Sequence, residues 1–244
     1  MMKKLAILND IQLGFEEPPV LKLALKFLKW FQPHWIDLDG DIQDCYSFSR
    51  YDKDPLIIKK AEEEVELSRW LYKELKKITP HIEQEEGNHE RRFTKLIHTQ
   101  APALAGLRGV TFEDIFGLHD CKIKYRREGR FYGRLYVTHG SIVRKHSAYT
   151  AKAHFDKYGV SVIHGHTHRG GSYMHTNLGG AYEAYENFCL CTFNMPYLDS
   201  PPDWQHGFSV VYVDNDGSVD IDQIRIRRDS NFKPYLMYGG KRFV

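Results

Sequence analysis

The sequence predicts an α/β fold, specifically a layered sandwich of two mainly mixed β-sheets flanked by helices. In the first half of the chain, short apolar strands alternate with longer segments that carry apolar residues at helical spacing. The second half is richer in strands and contains one further helix. Because each sheet and each helix must bury an apolar face against another layer, this order favours two facing sheets with helices outside.

The first half contains three units in which a strand is followed by a helix. The strands are predicted at 4–8, 35–38 and 81–85, and the helices at 20–31, 56–78 and 91–100. Each strand is followed by a polar residue, which is Asp10, Asp41 or Asn88. The carboxyl ends of strands in an open α/β sheet gather ligands at one edge, so we expect these three side chains to converge.

The second half is predicted to contain six strands and one helix. The strands lie at 122–126, 131–138, 160–164, 188–193, 208–214 and 219–226, and the helix at 147–157. His139 and His166 each come shortly after one of these strands. We therefore expect both halves of the chain to contribute to one crevice.

We expect one domain over residues 1–244, with the basic and aromatic segment 225–244 packed on it as a tail. No Gly/Ser-rich or Pro-rich linker divides the sequence, and the formal net charge of +2 does not by itself indicate nucleic-acid binding. The apolar run 5–8 is far shorter than a signal-peptide core or a membrane span. The four cysteines are expected to be buried, reduced thiols, so we expect a cytoplasmic protein without membrane contact.

The polar residues at the strand ends include the donors that a two-metal site needs. Two divalent ions about 3.5–4 Å apart require a bridging carboxylate and further ligands that leave positions open. The candidates are a bridging carboxylate (Asp41), a terminal carboxylate (Asp10), an amide oxygen (Asn88) and three imidazoles (His139, His166 and His168). In an extended or turn segment, the spacing of His166 and His168 lets both rings face neighbouring ions. A mixed nitrogen and oxygen shell suits Mn, Fe or Zn better than Ca.

In their order along the chain, the motifs that carry these residues closely resemble the calcineurin-like metallophosphoesterase superfamily. The motifs are Asp10-Ile11-Gln12, Gly40-Asp41-Ile42-Gln43-Asp44, Gly87-Asn88-His89-Glu90, His139-Gly140 and Gly165-His166-Thr167-His168. Segments 44–55, 140–146 and 185–191 further resemble a compact single-domain branch often found in phages and prophages.

The resemblance implies a role for each motif residue. One metal would be held by Asp10, Asp41 and His168, and the other by Asp41, Asn88, His139 and His166. His89 would stabilise the transition state or protonate the leaving group, and Asp44 would orient it. The expected nucleophile is a hydroxide that bridges the two ions. General acid catalysis by His89 would contribute about two to four powers of ten.

Gln12 departs from the family pattern, which usually has histidine at this position. An amide oxygen is a weaker ligand than an imidazole, so Gln12 is expected either to ligate poorly or to hydrogen-bond a metal-bound water. We therefore expect weaker occupancy at this first metal site, where Mn or Mg is more acceptable than in an imidazole-rich site.

Basic and aromatic side chains near the motifs are candidates for substrate contact. Arg144 and Arg169 are expected at the rim, where a guanidinium can grip a phosphate, although a solvated surface role is an equal alternative. Tyr182, Tyr185 and Phe188, with the loop 50–55, either wall the crevice and stack a base or pack in the core or rim.

These features predict a metal-dependent hydrolase of phosphate esters with two divalent ions. Manganese is favoured, and Fe, Zn or Mg are alternatives. A phosphodiester or nucleotide substrate is favoured over a phosphoprotein, because no capping domain is visible in the sequence. A DNA or RNA nuclease of the same chemistry is one alternative, and it requires a continuous basic track. A metal-poor interaction scaffold is another; Gln12 favours it, whereas His89 and Asp44 oppose it.

Overall fold

A six-stranded mixed sheet forms one half of the protein. The structure is a computed structural model that describes residues 2–50, 61–195, 198 and 200–244. The strands of this first sheet are β1 (Lys3–Leu8), β2 (Trp35–Leu38), β3 (Ile82–Glu85), β4 (Lys124–Arg126), β10 (Gly207–Val213) and β11 (Val219–Arg225). Their order is β11-β10-β1-β2-β3-β4. The first four in sequence run parallel, while β10 is antiparallel to both β1 and β11.

A second mixed sheet of five strands faces the first. Its strands are β5 (Arg130–Tyr132), β6 (Leu135–Thr138), β7 (Ser161–His164), β8 (Gly170–Asn177) and β9 (Gly180–Asn187). The order is β5-β6-β7-β9-β8, in which the three inner strands are parallel and the edge strands antiparallel.

Within the described ranges, five helices complete the layers around the two sheets. They are α1 (Pro18–Phe31), α2 (Ala61–Lys76), α3 (Glu90–Gln100), α4 (Phe112–Ile115) and α5 (Tyr149–Tyr158). Among the residues that the structure describes, no helix has the length and apolar character needed to cross a bilayer.

The alternation of side chains along each strand separates the cores. Leu5 and Ile7 of β1 face the second sheet and pack with Val137 and Ile163, whereas Ala6 and Leu8 face the core built with α1 and α2. On the outer face of the second sheet, Ala151 and Phe155 of α5 cover Val162 and Ala184. The layers are therefore helix, sheet, sheet and helix, which confirms the predicted fold class.

Several predicted elements differ from the structure. The strand predicted at 188–193 is wrong, because Phe188 has a left-handed φ of 60° and only isolated bridges form at Cys189 and Cys191. The single strand predicted at 131–138 is a hairpin that turns at Gly133. Residues 56–60 of the second predicted helix lie outside the described residues, and the described helix covers Ala61–Lys76.

The C-terminal segment forms a small antiparallel sheet that packs on α1. Its strands are β12 (Arg227–Arg228), β13 (Pro234–Tyr238) and β14 (Lys241–Phe243). The Phe27 ring of α1 contacts Tyr238 and Phe243, with centroid distances of 5.3 and 5.2 Å. Phe27 also contacts Phe208 of β10, so it joins the C-terminal sheet to the main core.

Candidate metal centre

The loops that follow β1, β2, β3, β6 and β7 meet at one edge of the two sheets. They bring together all six predicted metal ligands, which are Asp10, Asp41, Asn88, His139, His166 and His168. Three ligands come from the first sheet and three from the second. Asn88 is exposed and His166 half-buried, whereas the other four are buried. The site is therefore open to solvent on the side of Asn88 and His166.

Left-handed backbone conformations are concentrated in these loops. Asp10, Asp41, His166 and His168 have φ angles of 48°, 52°, 71° and 59°, and Gln12 has a φ of 49°. Such angles are uncommon and costly for residues other than glycine, and they persist where surrounding contacts hold them. Here the turns direct the side chains back across the strand ends.

Asp10 and His168 form the first half of the centre. Oδ2 of Asp10 accepts hydrogen bonds from Asn9 Nδ2 and from the backbone N–H of His166, at 2.6 and 2.8 Å. Oδ1 of Asp10 lies 3.0 Å from Nε2 of His168 but accepts no directed hydrogen bond from the described residues. Gln12 is also buried here, with its amide nitrogen 3.3 Å from His168 Nε2. Gln12 is therefore within reach of the first site.

Asp41, Asn88, His139 and His166 form the second half. Nε2 of His139 lies 3.2 Å from Asp41 Oδ2 and 3.2 Å from Asn88 Oδ1. Donor atoms of Asp41, His139 and His166 all lie within 4.8 Å of one another. Nδ1 of His139 lies 2.9 Å from the Asp39 carbonyl and donates to it, so the Nε2 lone pair is left facing the centre.

The spacing of these donor atoms fits metal coordination. Two ligands at right angles around one ion, each about 2.1 Å away, lie about 3 Å apart. Three donor pairs have this spacing: Asp10 with His168, Asp41 with His139, and Asn88 with His139. The Asp10 atom in the first of these pairs is Oδ1, which is buried. It lacks a directed hydrogen-bond donor among the described residues, so a cation would satisfy it.

The buried carboxylate of Asp41 also requires a positively charged partner. Burial alone would raise the pKa of Asp41, but His139 and His89 outweigh it and hold that pKa well below its usual range. Burial opposes the charge on His139 as well, yet Asp41 raises the His139 pKa well above its usual value. A cation bound at the centre would supply the positive charge that this buried carboxylate requires.

His89 and Asp44 pair beside the ligands. Nδ1 of His89 lies 3.1 Å from Asp44 Oδ2, and Nε2 of His89 lies 3.7 Å from Asp41 Oδ2. Burial lowers the pKa of His89, but Asp41 and Asp44 outweigh it, so the net shift is upward. Arg92 opposes that shift, because its Nη2 lies 3.0 Å from His89 Nε2 while its Nη1 binds Asp44.

Glu90 holds two of the motif loops together, a role that the sequence analysis did not assign. Its carboxylate accepts hydrogen bonds from the backbone N–H groups of Asp41, Ile42 and Gln43, at 2.7 to 3.2 Å, and from Gly87 at 2.9 Å. Burial raises the pKa of Glu90 to about 7. The only sequence signal was an acidic residue at the first position of a helix, inside the Gly87-Asn88-His89-Glu90 motif, and it does not show which loop the carboxylate binds.

Two buried cysteines lie behind His168. Cys191 Sγ is 3.5 Å from His168 Nδ1, and donor atoms of His168, Cys189 and Cys191 lie within 4.8 Å of one another. Burial raises the pKa of the Cys191 thiol well above its usual value, so the thiol is neutral. Cys191 therefore contacts the ring nitrogen that faces away from Asp10 and helps to orient the imidazole.

The two predicted rim arginines lie in different environments. Arg144 is exposed, and its Nη1 donates to the Val143 carbonyl. Arg169 is only 7% exposed; its Nε lies 3.3 Å from Glu186, and its Nη atoms donate to backbone carbonyls and to Thr150. The expected rim contact does not fit Arg169, because its charge is already paired inside the protein.

Of the aromatic candidates, Tyr182 and Tyr185 belong to β9, and Phe188 follows that strand. Tyr185 and Phe188 are buried, and the ring of Tyr182 lies 5.5 Å from that of Phe155. The other candidate, loop 50–55, lies outside the described residues except for Arg50.

Comparisons with known proteins support the fold. No protein-family model matches the chain. The gene 54 proteins of Mycobacterium phages L5 and D29 are 27% and 29% identical to it over 230 and 231 residues, covering 88% of this chain and 90% of each relative. The crystal structure of Vps29 from Chaetomium thermophilum aligns with a TM-score of 0.51 at 11% identity, over 96% of this chain and 93% of Vps29. Together with the sheet topology, this likeness shows that the chain has the calcineurin-like metallophosphoesterase fold.

Proposed function

We propose that the protein is a dinuclear-metal-dependent phosphoesterase that hydrolyses phosphodiester or nucleotide substrates. The observation that carries the proposal is the convergence of six ligand side chains from two sheets, with the His89–Asp44 pair directly beside them. A scaffold protein has no need for a buried proton donor and its orienting carboxylate.

In this proposal each half of the centre would hold one divalent ion. Asp10 and His168 would hold the first, with Gln12 close by, while Asn88, His139 and His166 would hold the second, and Asp41 would serve both. When bound, such a pair supplies Lewis-acid stabilisation of the phosphoryl oxygens and a water-derived nucleophile at neutral pH. The nitrogen and oxygen donors favour manganese, with Fe, Zn or Mg as alternatives.

The protein's own residues act on the leaving group. As the P–O ester bond breaks, the leaving oxygen gains negative charge and needs a proton. Once the contact between Nε2 and Arg92 Nη2 is released, protonated His89 supplies this proton from Nε2, while Asp44 holds Nδ1 and keeps the ring in place. Water contributes the oxygen that replaces the leaving group on phosphorus and releases a proton that replaces the one given by His89, so a phosphodiester yields an alcohol and a phosphomonoester.

We further infer that the protein belongs to a compact branch of metallophosphoesterases found in phages. The two curated relatives are phage proteins that match it over nearly their whole length. The phage origin of these relatives is what supports the inference; of segment 44–55, residues 51–55 lie outside the described residues.

The proposal is tested by Mn²⁺-dependent hydrolysis of an aryl phosphodiester, an aryl phosphomonoester and single-stranded DNA. Asp41→Asn should abolish turnover, because it removes the shared carboxylate. His89→Ala should reduce it about 10²- to 10⁴-fold for a poor leaving group, and less for a nitrophenolate that needs no proton. Asp156→Asn, which alters an exposed aspartate on α5, is the matched control. Absence of Asp41-dependent turnover on all three substrates would instead indicate a scaffold.

A further inference from the structure

A basic cleft adjoins the metal centre on the side of the proton donor. The cleft has a volume of about 870 Å³ and runs along α3. It is lined by four cationic side chains and by polar and apolar residues, namely Phe48, Ser49, Arg50, Asn88, Arg91, Arg92, Lys95, Leu96, Thr99 and Gln100. None of these described lining residues is acidic, so the cleft is suited to an anion.

A second cleft on the other side of the centre has a different character. It measures about 550 Å³ and contains His139 and His166 together with three glutamates, Glu85, Glu86 and Glu128. Asn88 and Arg91 line both clefts, and His139 and His166 line the second, so the two clefts meet at Asn88 beside the metal centre. A substrate bound at the centre would therefore extend one arm into each cleft.

The position of His89 distinguishes the two arms. Nε2 of His89 contacts Arg92 Nη2, and Arg92 lines the basic cleft. A proton donor must lie on the leaving-group side of the scissile bond. The leaving-group arm therefore lies in the basic cleft.

We propose that the basic cleft binds a second phosphate on the leaving-group side of the scissile ester, so that the preferred substrate is a nucleotide chain rather than an isolated diester. The inference rests on the proposed phosphoesterase function. Arg91 and Arg92 are partly neutralised by Glu86 and Asp44, and Arg50 has a contact of its own, so we assign the added phosphate to Lys95. The ring of Phe48 is half-buried at the cleft wall, braced by Phe93 at 5.1 Å, and offers a surface for a base.

The first experiment compares substrates that differ in one phosphate. Hydrolysis of TpT, pTpT, TpTp and an oligothymidylate is measured beside that of bis(p-nitrophenyl) phosphate. We expect one of the two phosphorylated dinucleotides to have a kcat/KM at least several-fold above that of TpT. A further gain for the oligothymidylate identifies a nucleic-acid chain as the source of the phosphate, whereas no further gain identifies a small nucleotide. Equal values for TpT, pTpT and TpTp would overturn the proposal.

The second experiment removes the cation. Lys95→Ala and Lys95→Glu should lower kcat/KM on the oligothymidylate and leave bis(p-nitrophenyl) phosphate hydrolysis unchanged. Fluorescence anisotropy of a labelled oligothymidylate without added metal measures binding directly, and Lys95→Ala should make its log–log salt dependence shallower by about 0.7. Lys22→Ala and Lys22→Glu, at an exposed lysine on α1, are matched controls.

The results separate the two proposals. Unchanged oligothymidylate binding in Lys95→Glu, equal to that of Lys22→Glu, would refute the phosphate site even if the aryl diester is hydrolysed. Absence of Asp41-dependent diester hydrolysis would refute the phosphoesterase function, while the anisotropy measurement would still test the cleft.

Discussion

Gln12 is buried beside the candidate metal ligands, and the orientation of its amide decides which of its atoms faces a cation. Its buried amide lies 3.3 Å from the ring nitrogen of His168 that faces Asp10. A 180° rotation of the amide exchanges its nitrogen for its oxygen, which is the atom able to bind a cation. An amide oxygen competes less well for Mn, Fe or Zn than an imidazole does, so the two halves of the centre are unequal.

Gln12→His is predicted to strengthen the first site. After Mn²⁺ loading and dialysis, we expect about one equivalent of metal to remain in the parent protein and about two in the variant, because imidazole binds first-row metals more tightly than an amide oxygen. Metal content is measured by atomic emission, and Gln43→His, at a buried glutamine outside the donor set, is the control. Two tightly held equivalents in the parent, unchanged by Gln12→His, would contradict the prediction.

At the level of single residues, the sequence predicted the donor side chains better than the residues that support them. Asp10, Asp41 and His139 could be identified because each comes shortly after a predicted strand and belongs to a motif in the order that the family resemblance implies. Arg169 looked equally available, but its partner Glu186 comes from β9, far along the chain. Glu90 acts through backbone N–H groups, and no sequence pattern shows which loop a carboxylate will bind.

At the scale of elements, a hydrogen bond to α2 holds the loop that follows β2 in place. Glu64 of α2 is buried and accepts a hydrogen bond from the Cys45 backbone N–H at 2.7 Å. Burial raises the pKa of Glu64 to about 8. The carboxyl group is therefore protonated in the folded chain at neutral pH, whereas it is ionised in the unfolded chain.

This contact makes stability depend on pH. Because the folded state keeps the Glu64 proton up to about pH 8 and the unfolded state loses it near pH 4.5, stability should fall as the pH rises through this window. Glu64→Gln should lose that component, so its free energy of unfolding should exceed the parent's by a growing margin, on the order of a few kcal/mol by pH 8. Urea unfolding between pH 5 and 8 measures this. Glu62→Gln, an exposed change on the same helix, should follow the parent; a Glu64→Gln profile parallel to the parent would count against the buried carboxyl.

Strands with apolar alternation were predictable, whereas the outer hairpin of β8 and β9 was not. The β8 strand lies at the edge of its sheet and is largely exposed, so its polar composition carries no alternating signal. The turn residues Asn177 and Gly180 were the available indication. The strand predicted at 188–193 was wrong for the opposite reason. Its residues are apolar and buried, as in a core strand, but they belong to a loop packed at the site.

At the scale of the whole molecule, Phe27 connects parts of the chain that are distant in sequence. Its ring is fully buried among Phe31, Phe208, Tyr238 and Phe243. The contact joins α1, the first sheet and the C-terminal sheet. Loss of the ring would leave a cavity between all three.

Phe27→Ala is predicted to lower the free energy of unfolding by about 3–5 kcal/mol, because it removes a large buried ring and leaves a cavity. Trp30→Ala, at a neighbouring aromatic residue that is 46% exposed, should cost clearly less. Urea unfolding measures both values. Equal losses of unfolding free energy in the two variants would contradict the prediction, because the buried Phe27 ring would then stabilise the protein no more than the partly exposed Trp30.

The position of β10 in the first sheet has a consequence for biosynthesis. β1 pairs with β10, so that Lys3 lies opposite Val213, although the six donor residues all fall between positions 10 and 168. A ribosome releases the chain from its N-terminus, and β1 must wait for its antiparallel neighbour until almost the whole sequence has emerged. Every ligand is thus synthesised before the sheet that carries half of them is complete. A messenger truncated after the last histidine motif would encode the full donor set on a sheet that lacks β10, so we expect the metal centre to form only after β10 has been synthesised.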